Sequence, residues 1–282
     1  MSALPYHTNL RPYENIAFQF SHHIIREDGS IEHAGQYIND KKHHFPNFDF
    51  VRELKRQLEI DKGTIFRYSN HENTILRAIR EQLEVSSEAD REELCAFIDS
   101  ITHYKKSRGA TVAGERDMVD LLDAVKRFYY HPSMKGSNSI KAVLPAILNS
   151  SETIRKKYSE RIYGSVIPSC NFTPETAKAW ITLLPDGTVE SPYHQLDAIA
   201  TFLGVSPGEL KQFDEAAQMD ESIANGGAAL AAYTRLQFSD AVCTQALREA
   251  LLRYCELDTM SMVFIWEYFH EMIEKAGTSD DN

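Results

Sequence analysis

The apolar positions of the first eighty residues change period repeatedly. Ile16-Ala17-Phe18-Gln19-Phe20-Ser21-His22-His23-Ile24-Ile25 is partly alternating and partly continuous, and predicts a strand. Glu27-Asp28-Gly29-Ser30 has hairpin-turn chemistry, and Ile31 to Ile38 predicts the returning strand. Asn47 or Asp49 can cap a helix through Phe50, Val51, Leu54 and Leu58, which Lys62-Gly63 breaks. Thr64 to Tyr68 predicts a short strand. Ser69 or Asn70 then caps a second helix, with Ile75, Leu76 and Ile79 on one face. Strand, strand, helix, strand, helix is the order of a mixed α/β sheet.

Residues 90–108 have helical spacing. Met118 to Leu122 begins an element that continues helically to Tyr130, where His131-Pro132 stops it. Gly136-Ser137-Asn138-Ser139 predicts a loop capping a helix from Ile140 to Leu148. From about Ser151 to Gln237, turn signals replace long periodic runs: Ile167-Pro168-Ser169, Pro185-Asp186-Gly187, Ser191-Pro192 and Asn225-Gly226-Gly227. A final helix is expected from about Ser239 to Lys275, with Leu257 a point of potential break. The expected layout is a core over 1–150, a loop-rich insertion or cap over 151–237, a C-terminal helical part of the core over 238–276, and a polar, disordered tail over 277–282.

With 282 residues and 43% hydrophobic content, the chain can bury one large core, alone or with an insertion. No apolar run approaches the roughly 20 residues that span a bilayer. Met1 to Pro5 lack the basic start and apolar stretch of a signal peptide. Cys95, Cys170, Cys243 and Cys255 are scattered without C-x-x-C spacing, so structural zinc is not expected and a reduced, cytoplasmic setting is. The net charge of −11 excludes bulk electrostatic coating of nucleic acid. It is compatible with a nuclease, because metal cations and a local basic groove can hold phosphates.

Candidate chemistry concentrates near the C-terminus. Tyr254 and Asp258 are four residues apart in a helical segment, so the phenol and the carboxylate share a face. A carboxylate can hold a hard divalent cation and a neighbouring phenol can orient water. The plainer alternative is a buried tyrosine beside a surface carboxylate. Two upstream blocks add to the pair. Tyr68-Ser69-Asn70-His71-Glu72-Asn73-Thr74-Ile75-Leu76 lies where a strand gives way to a helix. Asp120-Leu121-Leu122 is followed by Gly136-Ser137-Asn138-Ser139-Ile140-Lys141.

In this order the three blocks resemble the DnaQ-like (DEDD, ribonuclease H-fold) 3′–5′ exonucleases, and more closely a bacterial group catalogued as DUF2779. Arg11-Pro12-Tyr13-Glu14-Asn15-Ile16-Ala17-Phe18-Gln19-Phe20-Ser21 matches a block expected of that group. So do Tyr130-His131-Pro132 with the Gly-Ser-x-Ser-Ile-Lys run, and Gly226-Gly227-Ala228-Ala229. The resemblance implies a ribonuclease H-like mixed sheet flanked by helices, and phosphodiester hydrolysis of DNA or RNA by two Mg²⁺ or Mn²⁺ ions. It implies Glu72 and Asp258 as metal-binding acids, with Tyr254 orienting the attacking water. Asp120 is either a third acid near the metals or a helix cap. Asn70 is a candidate substrate contact. Ser137, Asn138, Ser139 and Lys141 either contact a phosphate at a helix N-terminus or simply cap it.

Two departures stand beside the resemblance. Motif two normally has Asp, and Glu72 reaches one methylene further. The first motif, an Asp-x-Glu strand, is absent; in related sequences it lies just upstream of the point where this chain begins. The expectation is therefore a truncated start, an impaired or inactive hydrolase, and a nuclease domain fused or associated upstream. The different-class alternative is a non-catalytic domain that binds nucleic acid or a protein partner. His22-His23 and His43-His44 are expected to be structural or surface residues, since neighbours on a strand face opposite ways. Phe18, Phe20, Trp180 and Trp266 are expected in the core. Lys105-Lys106-Ser107-Arg108 is a basic patch, either a solvated helix end or a phosphate contact.

Overall fold

A computed structural model of the chain describes residues 10–12, 14–196, 227–238 and 241–279. Residues 197–226 of the expected insertion and 280–282 of the expected tail lie outside the described residues. Among the described residues the architecture is mixed α/β, rich in helix, with three two-stranded sheets. The chain divides into two compact units: Met1–Phe20 with Tyr37–Asp123, and Ser21–Gln36 with Ala124–Asn282.

Strands β1 (Gln19–Ile25) and β2 (Ile31–Ile38) form a hairpin that the unit boundary crosses. Its turn is closed by Arg26 N–H on the Ser30 carbonyl, 2.9 Å, with Gly29 at φ +78°. Burial in β2 alternates, with Ile31, His33 and Gly35 on the inner positions. A histidine thus occupies a place the pleat reserves for core residues.

Unit 1 contains α1 (Asn47–Leu58), β3 (Phe66–Arg67), α2 (His71–Glu84), α3 (Arg91–Ile101), β4 (His103–Lys105), β5 (Thr111–Ala113) and β6 (Val119–Asp120). Its core joins Phe20, Phe50 and Val51 to Leu76, Ile79 and Leu83 of α2 and Leu94, Phe97 and Ile98 of α3. β3 and β6 pair in parallel, Phe66 opposite Val119 and Arg67 opposite Asp120. Asn47 is the first residue of α1, not its cap. Its buried side chain instead accepts from Ala17 N–H (2.8 Å) and donates to the Asn15 carbonyl (3.1 Å), holding the preceding segment.

Helix α4 (Leu121–Phe128) begins in unit 1 and ends in unit 2. Unit 2 adds α5 (Ile140–Ser150), α6 (Glu152–Tyr158), α7 (Gly227–Phe238) and α8 (Ala241–Ser279). Residues 159–196 are irregular, held by isolated bridges and an aromatic group in which Trp180 meets Tyr163 and Phe172 edge to face. Pro192–Leu196 forms a 3-10 turn. Helix α8 runs unbroken through Leu257, which is fully buried, and past Lys275 to Ser279. No described helix is long and apolar enough to cross a membrane.

Candidate functional site

Two clusters of polar side chains in unit 2 draw on opposite faces of α8. Residues two apart on a helix are about 200° apart around its axis. Glu256 therefore points away from the face shared by Tyr254, Asp258 and Ser261.

The first cluster is buried. Glu256 and the His33 side chain are both fully inaccessible, and His33 Nδ1 lies 2.7 Å from Glu256 Oε1. Glu256 also accepts from Tyr163 OH (2.7 Å), from Ser169 Oγ and from Asn171 Nδ2 (2.8 Å). His33 Nε2 lies 2.8 Å from Ser21 Oγ, which lies 3.0 Å from Thr259 Oγ1. Thr259 Oγ1 is 2.9 Å from His23 Nδ1, and His23 Nε2 is 2.7 Å from Tyr163 OH, closing the ring.

Burial opposes charge on His33, but hydrogen bonds to Cys170 and Glu256 outweigh it and raise its pKa to about 9. Burial likewise opposes charge on Glu256, yet the His33 hydrogen bond and charge hold its pKa below the ordinary carboxylate range. The pair is an imidazolium–carboxylate pair. Burial, then the charges of His33 and His22, depress His23 well below the ordinary imidazole value, so it is neutral. One proton assignment satisfies every link of the ring, while Cys170 N–H also faces His33 Nδ1 at 3.3 Å. His33 donates to Glu256 and to Ser21, Ser21 to Thr259, Thr259 to His23, His23 to Tyr163, and Tyr163 to Glu256.

The order Ser21–His33–Glu256 has the geometry of a nucleophile, base and acid. A doubly protonated His33 has no lone pair for the Ser21 proton, and Ser21 is only 8% exposed. The ring ties β1 and β2 to α8 and to the 163–171 segment.

The second cluster is more accessible. Lys141, in the first turn of α5, places Nζ 5.5 Å from the Tyr193 ring centroid and 5.6 Å from that of Tyr254. Both lie within cation–π range. The two rings are 5.9 Å apart. Tyr193 OH donates to Asp258 Oδ1 (2.8 Å) and lies 3.3 Å from Ser261 Oγ. Burial, then the charge of Asp258, pushes the Tyr193 phenol well above its ordinary pKa, so it stays a donor. Ser139 is the N-cap residue of α5, and its hydroxyl is buried without a hydrogen-bond partner among the described residues. Ser137 Oγ accepts from Ser139 N–H (3.3 Å). An ammonium flanked by two aromatic rings at a helix N-terminus can take a phosphate and stack a base.

Of the residues expected at a catalytic centre, Lys141, Tyr254 and Asp258 thus meet in one place. Tyr193, which no sequence signal marks, completes the group. Ser137 and Asn138 lie in the loop entering α5. Glu72 and Asn70 belong to unit 1: Glu72 is exposed in the first turn of α2, and Asn70 is its N-cap residue. Asp120, also in unit 1, is paired with Arg67 at 2.9 Å and accepts from Ser69 N–H (2.9 Å) and Leu122 N–H (3.0 Å). It caps α4 and fixes the β3–β6 pair. Two divalent cations need several convergent oxygen ligands. Among the described residues, no three His, Cys, Asp or Glu side chains form such a group. Glu72 and Asp120 lie in unit 1 and Asp258 in unit 2.

A family model described as a domain of unknown function, DUF2779, matches residues 1–139. Those residues form a DUF2779 domain. No curated protein matches the chain, and no solved structure does. The DUF2779 match takes in Asn70, Glu72, Asp120, Ser137 and Asn138, together with His33 of the buried pair. It ends before Lys141, Tyr193, Glu256 and Asp258, so both clusters are completed by chain beyond the DUF2779 domain.

Proposed function

We propose that this chain is a nuclease-like domain, related to the ribonuclease H fold, that binds nucleic acid and is impaired in phosphodiester hydrolysis. The observation that carries the reading is Lys141, seated over Tyr193 and Tyr254 at the start of α5, where a phosphate and a base can be held together. The unpartnered Ser139 hydroxyl in the same turn supplies a further donor. The parallel β3–β6 pair beside α2 and α4 supports the fold reading. The impairment is supported by the partners the acids already have: Asp120 pairs with Arg67, and Asp258 accepts from Tyr193 OH.

The test is fluorescence anisotropy with short labelled DNA and RNA strands. The chain binds, and Lys141→Ala weakens binding and lowers the magnitude of the salt slope, d log K/d log[salt], by about 0.7, as for one phosphate contact on a single strand. The same preparations are incubated with Mg²⁺ or Mn²⁺, and no substantial turnover is expected. Failure of the chain to bind either strand at low salt defeats the binding reading. Steady metal-dependent cleavage defeats the impairment.

A further inference from the structure

Unit 1 holds a second basic feature, in a stretch whose spacing predicts helix. Helix α3 ends at Ile101, and β4 and β5 pair antiparallel, His103 opposite Ala113 and Lys105 opposite Thr111. The turn is closed by Lys106 N–H on the Ala110 carbonyl (2.9 Å) and Gly109 N–H on the Lys106 carbonyl (2.8 Å). Gly109 sits at φ +84°, a conformation that other residues adopt with strain. The base is pinned. His103 N–H donates to Asn73 Oδ1 (2.9 Å), Asn73 Nδ2 donates to the His103 carbonyl (3.1 Å), and His103 Nδ1 meets Asp117 at 2.9 Å. Gly114 N–H donates to the Thr102 carbonyl (2.9 Å). The result is a firmly based finger whose residues 104–111 are all exposed.

Charge distinguishes this finger from its surroundings. Arg52, Lys55, Arg56, Arg67, Arg77 and Arg80 of unit 1 are each paired with carboxylates. Lys105, Lys106 and Arg108 make no ion pair among the described residues. Three uncompensated cations thus stand within four residues on a chain of net charge −11. Beside them Tyr104 is 40% exposed, and the Arg77 guanidinium lies 4.7 Å from its ring centroid. Crowded like charges on an exposed hairpin repel one another, and an external polyanion relieves that repulsion.

The geometry points to the β4–β5 hairpin as a contact for the phosphate backbone of nucleic acid, separate in sequence and unit from Lys141. The inference rests on the nucleic-acid reading above and adds a surface to it. Phosphate is favoured over an acidic peptide because regularly spaced charges match three adjacent cations and release counterions on binding.

The test is the full chain with Lys105, Lys106 and Arg108 all changed to Ser, titrated with labelled single strands across salt concentrations. Neutralising three phosphates contributes about 2 to the slope for a single strand, at about 0.7 each. From about 50 to 200 mM salt, wild type should therefore lose about 20-fold more affinity than the variant. A control with Arg56, Lys62 and Arg91 changed to Ser alters net charge equally elsewhere, and should keep the wild-type slope. Equal slopes for the hairpin variant and wild type overturn the inference while leaving the binding reading intact. Equal loss in the control assigns the effect to bulk charge and overturns it as well. Wild-type binding to an acidic peptide but to no nucleic acid overturns both readings.

Discussion

Changing Glu256 to Gln keeps the shape of the buried ring and removes its counter-charge. His33 has a pKa of about 9 against an ordinary value of 6.5. The displacement corresponds to about 3 kcal/mol of preference for charged His33 in the folded state. The folded state holds this proton more tightly than the unfolded chain. Its contribution is thus complete below pH 6.5 and fades as pH rises towards about 9. Glu256, held low, loses its contribution only on acidification below the ordinary glutamate range. Depressed His23 contributes above pH 6.5 and loses that contribution as pH falls, so it does not confuse the alkaline window. Glu256→Gln should therefore remove part of that roughly 3 kcal/mol near pH 6.5, Cys170 retaining the rest, and cost much less above pH 9. Both tryptophans, Trp180 and Trp266, belong to unit 2, so urea unfolding followed by fluorescence reports the relevant unit. A wild-type stability that stays flat from pH 6.5 to 9 would refute the reasoning. A variant deficit that is constant across that window would show that Glu256 acts by shape and neutral hydrogen bonding alone.

Two further outcomes concern Asp120 and Asp258. Asp120→Ala removes a buried partner of Arg67 and the cap of α4, and should lower stability by about 3 kcal/mol in a thermal melt without metal. Unchanged or improved stability would mark Asp120 as a strained site residue instead. For Asp258→Ala, calorimetric titration with Mn²⁺ should match wild type. A loss of binding confined to the variant would restore the metal reading.

The local elements were largely legible from residues alone. β2 spans Ile31–Ile38 as its alternation requires, and α5 starts at Ile140 after the Gly136-Ser137-Asn138-Ser139 loop. The stretch after Ile101 was not legible. Leu94, Phe97, Ile98 and Ile101 set a helical period that gives no stop signal, and the Asn73 bonds to His103 come from a different helix. Helix α8 is likewise continuous at Leu257, whose side chain is fully buried.

The clusters divide in the same way. Tyr254 and Asp258 share a face by helix periodicity, and their one-turn spacing needs no fold to establish it. That Lys141 joins them, and that Tyr193 takes the Asp258 hydrogen bond, depends on chain closure over more than fifty residues. The sequence pattern singles out neither His33 nor Glu256; only the folded chain shows them as a buried pair. Periodicity records which positions face inward. Which buried charge meets which is set by long-range packing, because an unpaired charge in the interior is too costly to leave, and only the folded chain supplies its partner.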